Sequence, residues 1–196
     1  MSIYPKLLKQ IEQLEKEVRY YPSDRFVAII AALRAAPKGS QLYFVCRHNS
    51  RRSQFAEFWA HLFNEYFELG FQIYSAGTAA GPLAPQTTAS LQELGFSLSQ
   101  GQLYWAEGKG SPLESTVWAI DEQTEAPIYA FMLCSEVEAD CPYLPEAYQR
   151  FSLPYEDPSK VDGQARAAFV YRQRAEEIGR DLFYIFSKCS QNEISR

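Results

Sequence analysis

The chain has 196 residues, 46% of them hydrophobic and 22% charged, with a formal net charge of −5. That length suits one domain with a substantial core, and the composition is ordinary for a globular protein. Mild acidity without a basic stripe argues against nucleic acid as the main partner, and no apolar run approaches the roughly 20 residues of a membrane span.

The N-terminus, MSIYPKLLKQIEQLEKEV, is amphipathic and carries acidic residues, unlike a signal or transit peptide, so a cytoplasmic location is expected. Ile3, Leu7, Ile11, Leu14 and Val18 recur at helical spacing and end at Pro22. The stripe is too short for a firm coiled-coil seam, and a helix packed on its own domain is the preferred reading. Ser23 or Asp24 is placed to cap a second helix over Phe26–Ala35, closed by Pro37 and Gly39. Residues 1–40 thus read as a helical extension ahead of a catalytic domain over 41–190.

From residue 41 strands and helices alternate. Leu42–Val45 reads as a buried strand, Arg52–Phe67 as a helix, Phe71–Tyr74 as a strand ended by Ser75-Ala76-Gly77, and Pro85–Leu94 as a helix stopped by Gly95. Ile128–Leu133 and Arg150–Pro154 supply two further strands. A closing helix runs from Gly163 to Lys188, with Phe169, Ile178, Leu182 and Ile185 at helical spacing. The expected class is α/β, a small doubly wound four-stranded parallel sheet with right-handed crossovers. Residues 100–127, with Gly108, Gly110, Pro112 and Pro127, resist assignment and read as an irregular excursion, with a lid as one role. Tyr104, Trp105 and Trp118 there read as cover for a core edge rather than walls of a substrate pocket.

Cys46 ends the first strand, where ligands bind in such sheets. Arg47, His48, Asn49, Ser50 and Arg51 then form the turn into the next helix. Successive backbone N–H groups in such a turn make a nest for a tetrahedral anion. The helix dipole and nearby guanidinium groups favour a thiolate at Cys46, so the features that bind the anion also arm a nucleophile. Arg52 can grip two oxygens bidentately, and Ser53 Oγ can donate to the sulfur. His48 reads as outward-pointing, and Asn49 as a residue tolerating a left-handed turn. Chance gives on the order of 0.03 matches to Cys–x5–Arg–Ser/Thr in such a chain.

A leaving group needs a proton donor. In LPYEDPSK, residues 153–160, Asp157 precedes Pro158, which biases it toward extended geometry after the fourth strand. Asp157 is the candidate acid and Glu156 the fallback. With no secretory signal, the four cysteines read as free, catalytic or redox-active rather than as bridges, and the presence of only two histidines argues against a His-rich metal site. Cys189 reads as a bystander.

Cys46–x5–Arg52–Ser53, Ser75-Ala76-Gly77 and Asp157-Pro158, in that order, resemble the low-molecular-weight protein tyrosine phosphatase superfamily. VCRHNSRRSQFAE is most similar to its arsenate reductases, and LCSEVEADCP, residues 133–142, resembles the redox segment of the thioredoxin-coupled ones. The resemblance spans about 41–188. It implies that Cys46 attacks arsenate, Asp157 assists oxygen departure, Cys134 attacks the adduct and Cys141 takes over the disulfide for thioredoxin. Were 135–140 helical, Cys134 and Cys141 would stand about 10.5 Å apart by rise. A disulfide tolerates only about 4.4–6.8 Å, so oxidation would have to unwind the segment. The resemblance also implies a potassium ion near Asn49, Glu57 and Ser75 as the one cofactor to consider.

Two departures weigh against a tyrosine phosphatase. Arg51 stands where such loops often carry cysteine, and Ser159 and Lys160 stand where tyrosines follow Asp-Pro in eukaryotic members. A phosphomonoester phosphatase remains the main alternative to arsenate reduction, and a non-catalytic oxyanion or redox sensor the third reading.

Overall fold

A computed structural model describes residues 3–21, 24–79, 81–118, 125–134 and 149–190. Four strands form one parallel sheet in the order β2-β1-β6-β7: β1 Gln41–Cys46, β2 Gln72–Gly77, β6 Ile128–Met132 and β7 Gln149–Ser152. Every residue of β6 is buried, as expected of a strand covered on both faces. β1 lies between β2 and β6, and its end at Cys46 pairs with Gly77.

The helices are α1 Pro5–Glu17, α2 Val27–Ala35, α3 Arg52–Tyr66, α4 Pro85–Leu94 and α5 Ala167–Ser190. Leu7, Ile11 and Leu14 of α1 are buried in the same hydrophobic cluster as the sheet, so the stripe packs on its own chain. Ile3 and Val18 extend that stripe outside the helix: Ile3 bridges to Ala106 and Val18 opens a 3-10 turn. Asp24 likewise opens a 3-10 turn ahead of α2, and Ser23 lies outside the described residues. α3 and α5 meet closely. Trp59 Nε1 donates to Ala175 O at 2.8 Å, and a Cβ on Gly179 would stand 2.6 Å from Trp59 Cε2.

Phe169 is a correction to the expected α5 face. It is 62% exposed, whereas Tyr171, Ala175, Ile178, Leu182 and Ile185 are buried. Ile178 stands nine positions after Phe169. At 3.6 residues per turn that is about two and a half turns, which puts the two on opposite sides.

The unassigned stretch also resolves differently. Residues 97–112 form an antiparallel three-stranded sheet of β3 Ser97–Ser99, β4 Gln102–Ala106 and β5 Lys109–Pro112. Gln100 and Gly101, at φ 50° and 73°, make the two-residue turn between β3 and β4, the conformation such hairpins favour. Gly110 passes the Tyr104 ring where a Cβ would stand 2.6 Å from Cδ1. Trp105 stacks on His61 at 4.8 Å and Trp118 packs on Tyr43 at 4.7 Å, so both cover the core. Among the described residues no helix is long and apolar enough to cross a membrane.

Candidate active site

The parallel register brings three chain segments to one end of the sheet. Cys46 follows Val45, Val45 pairs with Met132, and Leu133 N–H donates to Val45 O at 2.8 Å, so Cys134 leaves β6 beside the end of β1. Tyr155 N–H donates to Leu133 O at 3.0 Å, which carries the Asp157 loop to the same end. Cys46 and Cys134 are both buried. Cys141 lies outside the described residues.

The loop 47–51 is held by its carbonyls. Cys46 O accepts from Thr78 N–H, Arg47 O from Ala79 N–H at 2.9 Å, His48 O from Ser115 Oγ at 2.9 Å and Ser50 O from Thr87 Oγ1 at 2.9 Å. In a trans peptide the next N–H points opposite to the carbonyl, so these contacts turn the N–H groups of residues 47, 48, 49 and 51 to the other side. That is how a short loop presents amide protons to an anion. Gly77 runs directly beneath: a Cβ there would stand 2.6 Å from Ala79 O and 2.9 Å from Arg47 O and Asn49 N. Only glycine fits.

Cys46 Sγ lies 3.0 Å from Ser53 Oγ, and Ser53 Oγ lies 3.0 Å from Asn49 Oδ1. The single serine proton can serve either neighbour, so it can move to the sulfur when the sulfur carries charge. Asn49 has φ 46°, the left-handed conformation expected, and its fully buried side chain is also a hub. Its Nδ2 donates to Thr116 Oγ1 at 3.1 Å, and its Oδ1 accepts from Gln54 Nε2 at 2.6 Å. Residues 114–118 therefore brace the loop from the β2 side: Gly77 N–H donates to Thr116 O, and Trp118 N–H to Gly77 O, each at 2.8 Å.

Arg52 is 4% exposed. Its Nη1 donates to Tyr155 O at 3.0 Å and its Nη2 to Asp157 Oδ2 at 2.6 Å. Its buried Nε has no partner among the described residues. Asp157 caps the 3-10 turn Pro158–Val161, accepting from Ser159 N–H at 2.9 Å. Burial works to raise its pKa, but the Ser159 hydrogen bond and the charges of Arg52 and Arg51 outweigh it and hold the carboxyl below its ordinary range. Glu156, the fallback acid, pairs with Lys160 at 3.0 Å on the surface instead.

Arg51 is held by side chains beyond the loop, and its charge also reaches Asp157. Its Nε donates to Tyr171 OH at 2.6 Å and its Nη2 to Asp162 Oδ2 at 2.9 Å, so the side chain ties the loop to α5. Tyr171 OH donates in turn to Asp162 Oδ1 at 2.7 Å. Arg47 and His48 are exposed at the rim, and Ser50 is buried. Cys189 lies in the last turn of α5, and burial pushes its thiol up to about 12.

Behind the loop, Ser75 Oγ lies 2.9 Å from Asn49 Oδ1 and 2.5 Å from Glu57 Oε2. Gln54 Nε2 donates to Asn49 Oδ1 at 2.6 Å and to Ser75 Oγ at 3.1 Å, which leaves the Ser75 proton for Glu57. A monovalent cation at this point would draw on these same three side-chain oxygens. A cavity of about 510 Å³ opens there, lined by Glu57, Ser75, Glu114 and Thr116 among others. Among the described residues no three His, Cys, Asp or Glu side chains cluster as a metal site.

Comparison with known proteins decides the family. The model of the low molecular weight phosphotyrosine protein phosphatases matches residues 41–165. The chain belongs to that family. An arsenate reductase of Bacillus licheniformis is 31% identical over 145 residues, 72% of this chain and 91% of the relative. One of Halalkalibacterium halodurans is 28% identical over 143 residues, with the same shares of the two chains. Among solved structures, a low molecular weight protein tyrosine phosphatase from T. tengcongensis superposes with TM-score 0.54 at 18% identity, covering 76% of this chain and 97% of the other. An arsenate reductase in its oxidised state gives TM-score 0.51 at 20% identity, covering 76% and 98%. These structures share the family's α/β fold. Thr116, Tyr155 and Arg51's tie to Tyr171 are parts of the site that motif spacing did not single out, because their partners lie far along the chain.

Proposed function

We propose that this family member is a cysteine-nucleophile enzyme acting on a tetrahedral oxyanion, with arsenate as the substrate. The observation that carries the reading is Cys46 Sγ at 3.0 Å from Ser53 Oγ in the first turn of α3, the turn that the buried Arg52 opens. The relatives named arsenate reductase support the choice of anion, as does Cys134 at the neighbouring strand end.

In this mechanism the Cys46 thiolate bonds to arsenic and an arsenate oxygen leaves as water, with Asp157 supplying a proton. The Cys134 thiolate then attacks Cys46 sulfur. The Cys46–arsenic bonding pair passes to arsenic, which leaves as arsenite while a Cys46–Cys134 disulfide forms. Attack by Cys141 on Cys134 frees Cys46, and a thioredoxin-type dithiol reduces the Cys134–Cys141 bridge. A monovalent cation held by Asn49, Glu57 and Ser75 would stiffen the loop from behind.

The second reading is phosphomonoester hydrolysis through a phosphocysteine on Cys46, favoured by the family match itself. Comparing wild type with Cys134→Ser separates the two. Arsenate reduction requires that the variant lose thioredoxin-driven turnover while retaining hydrolysis of an aryl phosphate. Absence of reduction by the wild type would leave the phosphatase. Tight anion binding with no turnover of either substrate would point to a sensor.

A further inference from the structure

The N-terminal segment lies outside the family match, yet it reaches the acid loop through one buried carboxylate. Asp181 on α5 is fully buried. Its Oδ1 accepts from Tyr21 OH at 2.6 Å and its Oδ2 from Tyr155 OH at 2.9 Å, with Arg25 Nη2 at 3.4 Å from Oδ2. Two of these partners, Tyr21 and Arg25, precede residue 41, where the match begins. The third, Tyr155, stands two residues before Asp157, and its own carbonyl receives Arg52 Nη1 at 3.0 Å. The Arg25 guanidinium also lies 5.8 Å from the centre of the Tyr155 ring.

We propose that Tyr21 and Arg25 are positioning residues for catalysis, acting through Asp181 on Tyr155 to fix both Asp157 and Arg52. A buried carboxylate is tolerated only with its partners in place. The extension and the acid loop share this one group. Loss of a partner on the Tyr21 side therefore lets Asp181 and the Tyr155 hydroxyl shift. Tyr155 is hydrogen-bonded at its hydroxyl, its N–H and its carbonyl, so a shift moves the peptide that holds Arg52 and the residues leading to Asp157. A displacement near 1 Å at a reacting group can cost about 10²-fold in rate.

The proposal rests on the oxyanion chemistry above, and its test separates the two. Deleting residues 1–40 removes core side chains and tests folding instead, so the informative variant is Tyr21→Phe. Wild type, Tyr21→Phe and Asp157→Asn are compared over aryl phosphates of increasingly basic leaving group. A displaced acid matters most for poor leaving groups. Tyr21→Phe is expected to lose kcat progressively along the series, about 10-fold or more at the basic end and tending toward the Asp157→Asn pattern, on top of any uniform loss from a loosened Arg52. Equal loss for every substrate, or no loss, overturns the proposal. Should the wild type hydrolyse none of them, the hydrolytic chemistry fails and amide hydrogen exchange decides the anchoring. Faster exchange at residues 155–159 in Tyr21→Phe, with α3 unchanged, sustains it, and unchanged exchange there overturns it.

Discussion

Asp157 Oδ2 accepts a hydrogen bond from Arg52 Nη2 at 2.6 Å, so the candidate acid and the candidate anion clamp hold each other. In the proposed chemistry an oxyanion on Cys46 uses the same guanidinium and competes with the carboxylate for it. Drawing Arg52 toward the anion removes a positive neighbour from Asp157 and brings a negative one near, and both changes raise its pKa toward that of a usable acid.

Replacing Asp157 with Asn should therefore separate binding from turnover. Loss of the acid is expected to cut kcat by about 10²–10⁴-fold for a substrate with a basic leaving group. Inhibition by inorganic phosphate or arsenate should be as tight as in wild type or tighter, because Arg52 is released. Initial-rate kinetics with phosphate as competitor check both. Weaker anion binding in step with lower kcat would assign Asp157 to holding the loop.

The same carboxyl links stability to pH. Its folded pKa is depressed below the ordinary 3.8, chiefly against burial, by the Ser159 hydrogen bond and the Arg52 charge. The stability it adds is thus present above the unfolded pKa and is lost as pH falls through the lower folded value. Urea midpoints measured from pH 6 down to pH 2 should fall less steeply for Asp157→Asn than for wild type below about pH 4.

Gly77 sets how closely β2 approaches the anion loop. A methyl group at residue 77 would meet Ala79 O, Arg47 O and Asn49 N, all backbone atoms that cannot swing aside. Gly77→Ala is expected to lower stability by about 1–3 kcal/mol and to abolish oxyanion protection of Cys46. Denaturant unfolding and anion-protection assays report the two effects separately.

The candidate site's centre is legible because its residues are local in sequence. Cys46, the turn 47–51 and Arg52–Ser53 are consecutive, and the apolar strand before and helical pattern after them are strong signals. What supports the centre was not legible. Arg51 read as part of the turn, while its partners Tyr171 and Asp162 lie more than a hundred residues away. Asp181 belongs to no motif, and only packing buries it between Tyr21 and Tyr155. The strands β3 to β5 are short and broken by glycines whose turn conformations emerge only once the hairpins pair.

The most direct test is alkylation of the folded protein by iodoacetamide near neutral pH, with the modified cysteines identified by peptide mass. Cys46 should react faster than free cysteine, phosphate or arsenate should shield it, and Cys189, whose thiol burial pushes up to about 12, should react slowly if at all. A Cys46 rate no higher than that of free cysteine, unaffected by either anion, would contradict a nucleophile seated in an oxyanion cradle.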